Sequence, residues 1–367
     1  MLYPLKFKPF FKEKIWGGDK IWKILHRPVA DMKNCGESWE ISAIEDNVSV
    51  VANGFFADDN DLNELIEVYM GELLGDKVYD KYGLGFPLLI KYIDATDDLS
   101  VQVHPDDKLA QERYGMNGKT EMWYVIQADE GAGLYVGFKD GVTRDQYWDA
   151  VEEGTVDELL RFYPAKKGDL FFIPAGTVHA IGRGVLLAEI QQPSDVTYRI
   201  FDWNRVDANG NSRELHVDEA FDAIHFEDDI ISPVETGRAP SPENNLPSSS
   251  PEKNVGAGDA QKTVEEEEKC LIPAGKIEYD EQFNATTKLL RSSFFNLNEI
   301  YFEKPLKKTY SEIDSFIIYM CIEGHVHAFT DDEQFELRTG EVMLVPACTP
   351  ELNLIPEGKS RLLEVYL

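Results

Sequence analysis

Positive charge is scarce in this chain: 36 Lys and Arg face 67 Asp and Glu over 367 residues, a formal net charge of -31. A surface that holds nucleic acid or anionic lipid needs an excess of cations, so this balance argues against both partners. Any phosphate site must be a local cluster. Cysteine is scarce as well, and Cys35, Cys270, Cys321 and Cys348 show no C-x-x-C spacing, which argues against a disulfide framework or a thiolate metal knuckle. Neither a signal-peptide pattern nor an 18-residue apolar run is present. The expectation is a reduced, soluble, cytoplasmic protein with no nucleic-acid or membrane partner. No pattern fixes its oligomeric state.

Hydrophobic residues make up 43% of the chain, enough for a packed core, and the length divided by a typical domain suggests two or three domains. Chemistry concentrates between Leu99 and Ile181. The run Leu99 to His104 alternates apolar and polar residues, and a strand sends successive side chains to opposite faces. Ser100, Gln102 and His104 therefore share one face, with Leu99, Val101 and Val103 on the other; Pro105 ends the strand. A second strand, Glu121 to Ile126, carries Lys119 and Glu121 on one side. A third segment, Lys167 to His179, reads as a turn, an apolar strand, a Pro-Gly turn and then a histidine. Gln102, His104, Glu121 and His179 are thus candidate metal ligands. Two imidazoles with a carboxylate and an amide oxygen suit Zn, Fe, Ni or Cu, zinc being the first choice. Taken singly, a strand histidine is more often a hydrogen-bonded residue than a metal ligand; the joint pattern shifts that balance.

Four ordered blocks carry a resemblance: Ser100 to Asp107 (SVQVHPDD), Lys119 to Trp123 (KTEMW), Gly168 to His179 (GDLFFIPAGTVH) and Tyr198 to Trp203 (YRIFDW). Together they resemble type I mannose-6-phosphate isomerases, the short bacterial branch of a zinc-dependent cupin family. The likeness is good over residues 1 to 225 and weaker after 270. It implies one Zn2+ per chain on Gln102, His104, Glu121 and His179. It implies a sugar-phosphate substrate, mannose 6-phosphate converted to fructose 6-phosphate through a zinc-stabilised enediolate. Arg199 is then the cation beside the developing charge, and Glu189, ten residues earlier, or a zinc-bound water is the base. Lys91, Ser100 and Lys119 are the phosphate contacts. Against that role, a lysine beside a glutamate ligand also serves simply to offset its charge. Two rivals stand beside this activity: a metal-binding cupin that senses a sugar phosphate without turning it over, and an iron dioxygenase, whose usual H-x-H pair is Gln-x-His here.

The remaining pattern gives the organisation. Glu37 to Ser42 reads as a strand with Trp39 and Ile41 on one face. Leu62, Leu65, Ile66, Tyr69, Met70, Leu73 and Leu74 mark one buried helix face, opened by Asp61 with Glu64. Phe86 to Ile93 is an apolar strand interrupted by Lys91. Gly131 to Gly137 lacks the dinucleotide spacing and reads as a hairpin turn. Capping boxes at Thr143 with Gln146 and at Thr155 with Glu158 predict two short helices, and Asp218 to Ile224 predicts another. Val185 to Ile190 and Thr197 to Trp203 alternate as strands, the latter with Arg199, Phe201 and Trp203 together.

Residues 231 to 268 hold five prolines and no aromatic residue, a composition that cannot bury enough surface to order itself. Beyond Cys270 an internal repeat appears. Gly340 to Pro346 matches Gly168 to Pro174, and Glu351 stands where His179 does. His325 and His327 form an H-x-H pair with no glutamate at the matching spacing, so no second metal is read. The expectation is a mainly β protein of two cupin (jelly-roll) barrels with a few short helices. It comprises a catalytic domain (1–228), an acidic Pro/Ser-rich linker (229–269) and a degenerate second domain (270–367).

Overall fold

The computed structural model describes residues 2–29, 31–206, 210–226, 273–331 and 333–367; the expected linker lies outside them. The alternating segments pair into sheets, because one face of each can then be buried. A seven-stranded sheet runs in spatial order Phe10–Gly18, Cys35–Ile41, Leu89–Asp94, Val185–Gln191, Glu121–Ala128, Leu170–Ile173 and Gly275–Ile277. Facing it is a five-stranded sheet of Tyr198–Phe201, Val101–Val103, His179–Ile181, Gly133–Phe138 and Leu160–Pro164. Between them Trp123, Val125, Phe171 and Leu187 meet Leu134, Val136 and Ile181.

The second half repeats this order with five strands in its large sheet and four in its small one. Ala285–Arg291, Asn296–Phe302, Ser360–Tyr366, Ile317–Glu323 and Val342–Val345 form its large sheet; Leu306–Thr309, Glu351–Pro356, His325–Phe329 and Gln334–Arg338 form its small one. The expected mainly β class with few helices holds. The hydrogen-bonded ladders stay open at their edges, however, so the expected barrels are pairs of open sheets packed face to face.

The two large sheets share one core through their outer faces. Ile90, Tyr92, Met122 and Tyr124 from the first join Ile318, Met320, Leu344 and Leu363 from the second. Chain ends cross this boundary: Leu5 bridges to Leu344, and the Gly275–Ile277 strand extends the first sheet beside Leu170–Ile173. The Leu62–Leu74 helix seals the same core with Leu62, Leu65, Ile66, Leu73 and Leu74, opened by the reciprocal Asp61 and Glu64 capping box. Met70 departs from the stripe. Its φ of 47° breaks the helical path and turns the side chain to solvent.

Local outcomes separate strong signals from weak ones. Thr143 and Gln146 form the expected box at the head of the Arg144–Glu153 helix. Thr155 does not: it lies outside the extended geometry a cap requires, and only a four-residue 3-10 turn, Val156–Leu159, follows. The turn at Asp129 to Ala132 is no hairpin, because it carries the chain from the large sheet to the small one. Two bulges also revise facing. A register shift between Trp39 and Ile41 sends Ile41 to the shared core while Trp39 stays on the inner face opposite Lys91. Another between Arg199 and Phe201 pairs Arg199 with Gln102 but Phe201 with Val101, so those two side chains do not share a face as the alternation implies. The expected helix at 218–224 is present as Val217–Ala223. With Arg144–Glu153 it covers the outer face of the small sheet, where Val101 and Val103 pack.

Candidate metal centre

The inner faces of the first sheet pair bring His104, Glu121 and His179 together. One ligand atom from each lies within 4.8 Å of the others, and all three residues are buried. Their arrangement follows from register. Val101–Val103 lies beside His179–Ile181 with Gln102 directly opposite His179, and directly opposed residues point to the same side of a sheet. Gln102, the fourth expected ligand, is therefore on the His179 face, and Arg199 opposes it from the other neighbour. Glu121 projects from the facing large sheet.

Hydrogen bonds fix which nitrogens are free. His104 donates from Nδ1 to the Val196 carbonyl at 3.0 Å, and His179 donates from Nδ1 to the Thr177 carbonyl at 2.8 Å. Each ring then turns an unprotonated Nε2 toward Glu121, 3.2 Å from Oε1 for His104 and 3.7 Å from Oε2 for His179. With no proton between these atoms, His104 Nε2, His179 Nε2 and Glu121 Oε2 are buried without a hydrogen-bond partner. Electrostatics keep them so. Burial pushes the His104 imidazole down to about 3, with Lys119 adding to the effect, and burial likewise lowers His179 against the pull of Glu121. Burial alone would raise Glu121, but Lys119 and His104 outweigh it and hold its carboxyl well below the usual range. Lone pairs facing one another in a dry interior are unfavourable unless a cation joins them. The donor set, imidazole nitrogen with carboxylate oxygen and backbone carbonyls orienting the rings from behind, fits a divalent metal.

A charged row crosses the large sheet beside this cluster. Trp39, Lys91, Glu189 and Trp123 are cross-strand partners in succession. Lys91 Nζ donates to Glu189 Oε1 at 3.0 Å, Trp123 Nε1 donates to Oε2 at 2.9 Å, and Lys91 also lies over the Trp39 ring. Burial and the nearby Glu121 raise the Glu189 carboxyl despite Lys91. Burial would raise Glu37 too, yet Lys91 and Lys14 hold it below the ordinary value. Lys119 Nζ lies 3.3 Å from Glu121 Oε1.

Ser100 and Arg199 meet across the small sheet, with Arg199 Nε donating to Ser100 Oγ at 3.3 Å and Nη1 to the Glu214 carbonyl at 2.9 Å. Arg199 shares its surroundings with Asp202, Arg205, Arg213 and Glu214. Of the nine expected site residues, Lys91, Lys119, Glu121, Glu189, His104 and His179 thus form one electrostatic cluster; Gln102 adjoins it by register, and Ser100 with Arg199 makes a separate contact. Sequence reasoning missed Trp123, Gln191, whose side-chain oxygen accepts from Lys91 Nζ, and Glu37. The same two-residue period marks the first two, since Trp123 follows Glu121 and Gln191 follows Glu189.

Known proteins resemble this chain in sequence and in fold. A family model described as phosphomannose isomerase type I, catalytic domain, matches residues 4–131. Mannose-6-phosphate isomerase ManA of Bacillus subtilis (strain 168) is 43% identical over 225 residues, spanning 60% of this chain and 68% of the relative. A mannose-6-phosphate isomerase of Streptococcus mutans is 42% identical over 224 residues, 61% of this chain and 68% of the relative. The crystal structure of a Bacillus subtilis mannose 6-phosphate isomerase superposes with a TM-score of 0.77 at 28% identity, covering 100% of both chains. With more than two thirds of a curated relative covered at this identity, and the same fold over the whole length, the chain belongs to the type I mannose-6-phosphate (phosphomannose) isomerase family.

Proposed function

We propose that this protein interconverts mannose 6-phosphate and fructose 6-phosphate, using one Zn2+ held by Gln102, His104, Glu121 and His179, and that its two sheet pairs are cupin modules. The observation that carries the reading is the trio of buried, unprotonated ligand atoms from His104, Glu121 and His179. When bound, zinc supplies a Lewis acid for the negative charge that develops on sugar oxygen. The protein does the rest. A proton must leave carbon 2 and arrive at carbon 1, and Glu189 is the proposed carrier; burial raises its proton affinity toward a useful range. Lys91 and Trp123 hold that carboxylate in one orientation. Arg199 offers a second cation for the enediolate. Lys91, Ser100 and Lys119 are the proposed phosphate contacts, with Lys91 sharing its ammonium between Glu189 and the substrate.

No helix among the described residues is long and apolar enough to cross a membrane. We propose a cytoplasmic setting, supported by the free thiols of Cys35, Cys321 and Cys348. The test is direct. Purified protein supplied with mannose 6-phosphate should form fructose 6-phosphate. Protein that binds metal and mannose 6-phosphate yet forms no product would instead be a sensor.

A further inference from the structure

The second half carries its own cluster of metal-type ligands, outside the site above and on the opposite kind of surface. His325 and His327 lie two residues apart on the His325–Phe329 strand, whose alternate residues Val326 and Ala328 are buried between the sheets. The histidines consequently project from the outer face of the small sheet. Sequence spacing offers them no carboxylate, but pairing does: Glu336 on the neighbouring strand stands directly opposite His327. His325, His327 and Glu336 each offer a ligand atom within 4.8 Å of the others. Glu357 supplies a second carboxylate from the turn after the Glu351–Pro356 strand, and its backbone N–H is tied to the His325 carbonyl at 2.8 Å.

Glu357 also sets the rings. It accepts from His325 Nδ1 at 2.9 Å and from His327 Nε2 at 2.6 Å, so the opposite nitrogen of each ring carries the lone pair. His325 Nε2 is shielded from solvent, has no hydrogen-bond partner and lies 3.5 Å from Glu336 Oε2. His327 Nδ1 receives only the side-chain amide of Gln334, at 3.2 Å. One carboxylate orients both imidazoles from behind while a second faces the free nitrogen of His325, and ligand atoms of His325, His327 and Glu336 lie within 4.8 Å of one another, as in a metal site with its outer partner in place. Glu336 is otherwise held by Arg338 at 2.9 Å, a mostly exposed guanidinium that can move to solvent when a cation arrives.

We propose that His325, His327 and Glu336 bind a second divalent transition metal of the zinc, cobalt, nickel or copper class, with Glu357 as the positioning carboxylate and water completing the coordination. Two imidazoles with one carboxylate select against magnesium and calcium. The inference does not depend on the proposed isomerase activity, and its readout is metal binding.

The experiment is Co2+ and Zn2+ titration of the full-length chain by calorimetry and visible absorption, after removal of endogenous metal. Two classes of site are expected. His325→Gln and His327→Gln should each abolish the weaker class and leave the tighter class and turnover unchanged. Glu357→Gln should weaken that class about 10- to 100-fold. In a His179→Ala background the weaker class alone should remain, which separates the two centres. Circular dichroism verifies that each variant is folded; should a histidine variant unfold, Glu336→Gln is read in its place and must also abolish the weaker class. The absence of any class of site that His325→Gln and His327→Gln abolish would overturn the proposal, whether one class or two are seen in the unmodified chain.

Discussion

The two sheet pairs have the same strand order and very different interiors. Aligning them through Gly168 to Pro174 and Gly340 to Pro346 puts Ile317 at the register of Glu121, since these two face Val345 and Ile173. Glu351 takes the position of His179 and Thr309 that of Gln102. Every one of these proposed ligand positions is changed in the second half. The neighbouring row keeps its central glutamate. Glu364 occupies the register of Glu189, Tyr319 that of Trp123 and Asn298 that of Lys91. Glu364 accepts from the Tyr319 hydroxyl at 2.6 Å and from the Asn298 amide at 2.7 Å, much as Glu189 accepts from Trp123 and Lys91. Lys308 completes it at 2.9 Å. A buried glutamate held by donors on both adjacent strands is therefore an architectural feature common to both halves. What distinguishes the first half is the candidate metal trio beside it, together with a lysine in place of an asparagine.

This comparison is sharpest where paired substitutions act on matching positions. If Glu189 has gained a chemical role that Glu364 lacks, Glu189→Gln should lower kcat by about 10²- to 10⁴-fold while Glu364→Gln leaves it unchanged. Steady-state kinetics on both variants decides the matter. Equal, small losses would mean that the glutamate is structural in both halves and that the proton carrier lies elsewhere.

Next in size is the effect of removing each glutamate's partner. Lys91→Ala leaves a buried carboxylate without its cation and should destabilise the fold by about 3 to 5 kcal/mol. Asn298→Ala removes one neutral donor while Lys308 stays, an expected loss of about 1 to 3 kcal/mol. Urea unfolding monitored by fluorescence measures both. Similar losses would contradict the claim that Lys91 supplies the charge balance of its row.

A smaller difference lies at the far end of the same strands, where Asp94 in the first half matches Tyr301 in the second. Burial pushes the Asp94 carboxyl up to about 6, against the backbone N–H of Lys20, and its Oδ1 has no partner. The folded protein thus binds this proton more tightly than the unfolded chain. That stabilisation is complete below the ordinary aspartate value near 3.8 and is lost as pH rises through about 6. Asp94→Asn should accordingly gain about 1 to 3 kcal/mol at pH 8, and the gain should shrink toward zero as pH falls to about 4. Unfolding curves at several pH values test it; a gain independent of pH would show that charge burial is not the cause.

Much of the site was legible because period-two alternation states which side chains share a face. Gln102 with His104, Lys119 with Glu121, and the histidine after the Pro-Ala-Gly turn were all readable in that way, as was the Leu62–Leu74 stripe with its Asp61 cap. Bulges were not legible. The extra residue that turns Ile41 away from Trp39, and the one that separates Phe201 from Arg199, leave no mark in hydrophobic pattern, since both faces of those strands are packed. Thr155 has the same box spacing as Thr143 but no helix long enough to cap. Cross-strand partners from distant sequence were equally hidden. Nothing near His325 announces Glu336 or Glu357, and nothing near Tyr319 announces Glu364, because pairing and not spacing brings them together.

The central claim is that the metal trio, present in one sheet pair and replaced in the other, is what makes this fold an isomerase. Its most direct measurement is the rate of fructose 6-phosphate formation from mannose 6-phosphate, alongside tightly bound zinc, in His179→Ala and Glu351→Ala proteins. His179→Ala should lose the tightly bound ion and at least about 10²- to 10³-fold in kcat, while Glu351→Ala at the matching position keeps both. A metal-free His179→Ala protein with undiminished turnover would contradict the account.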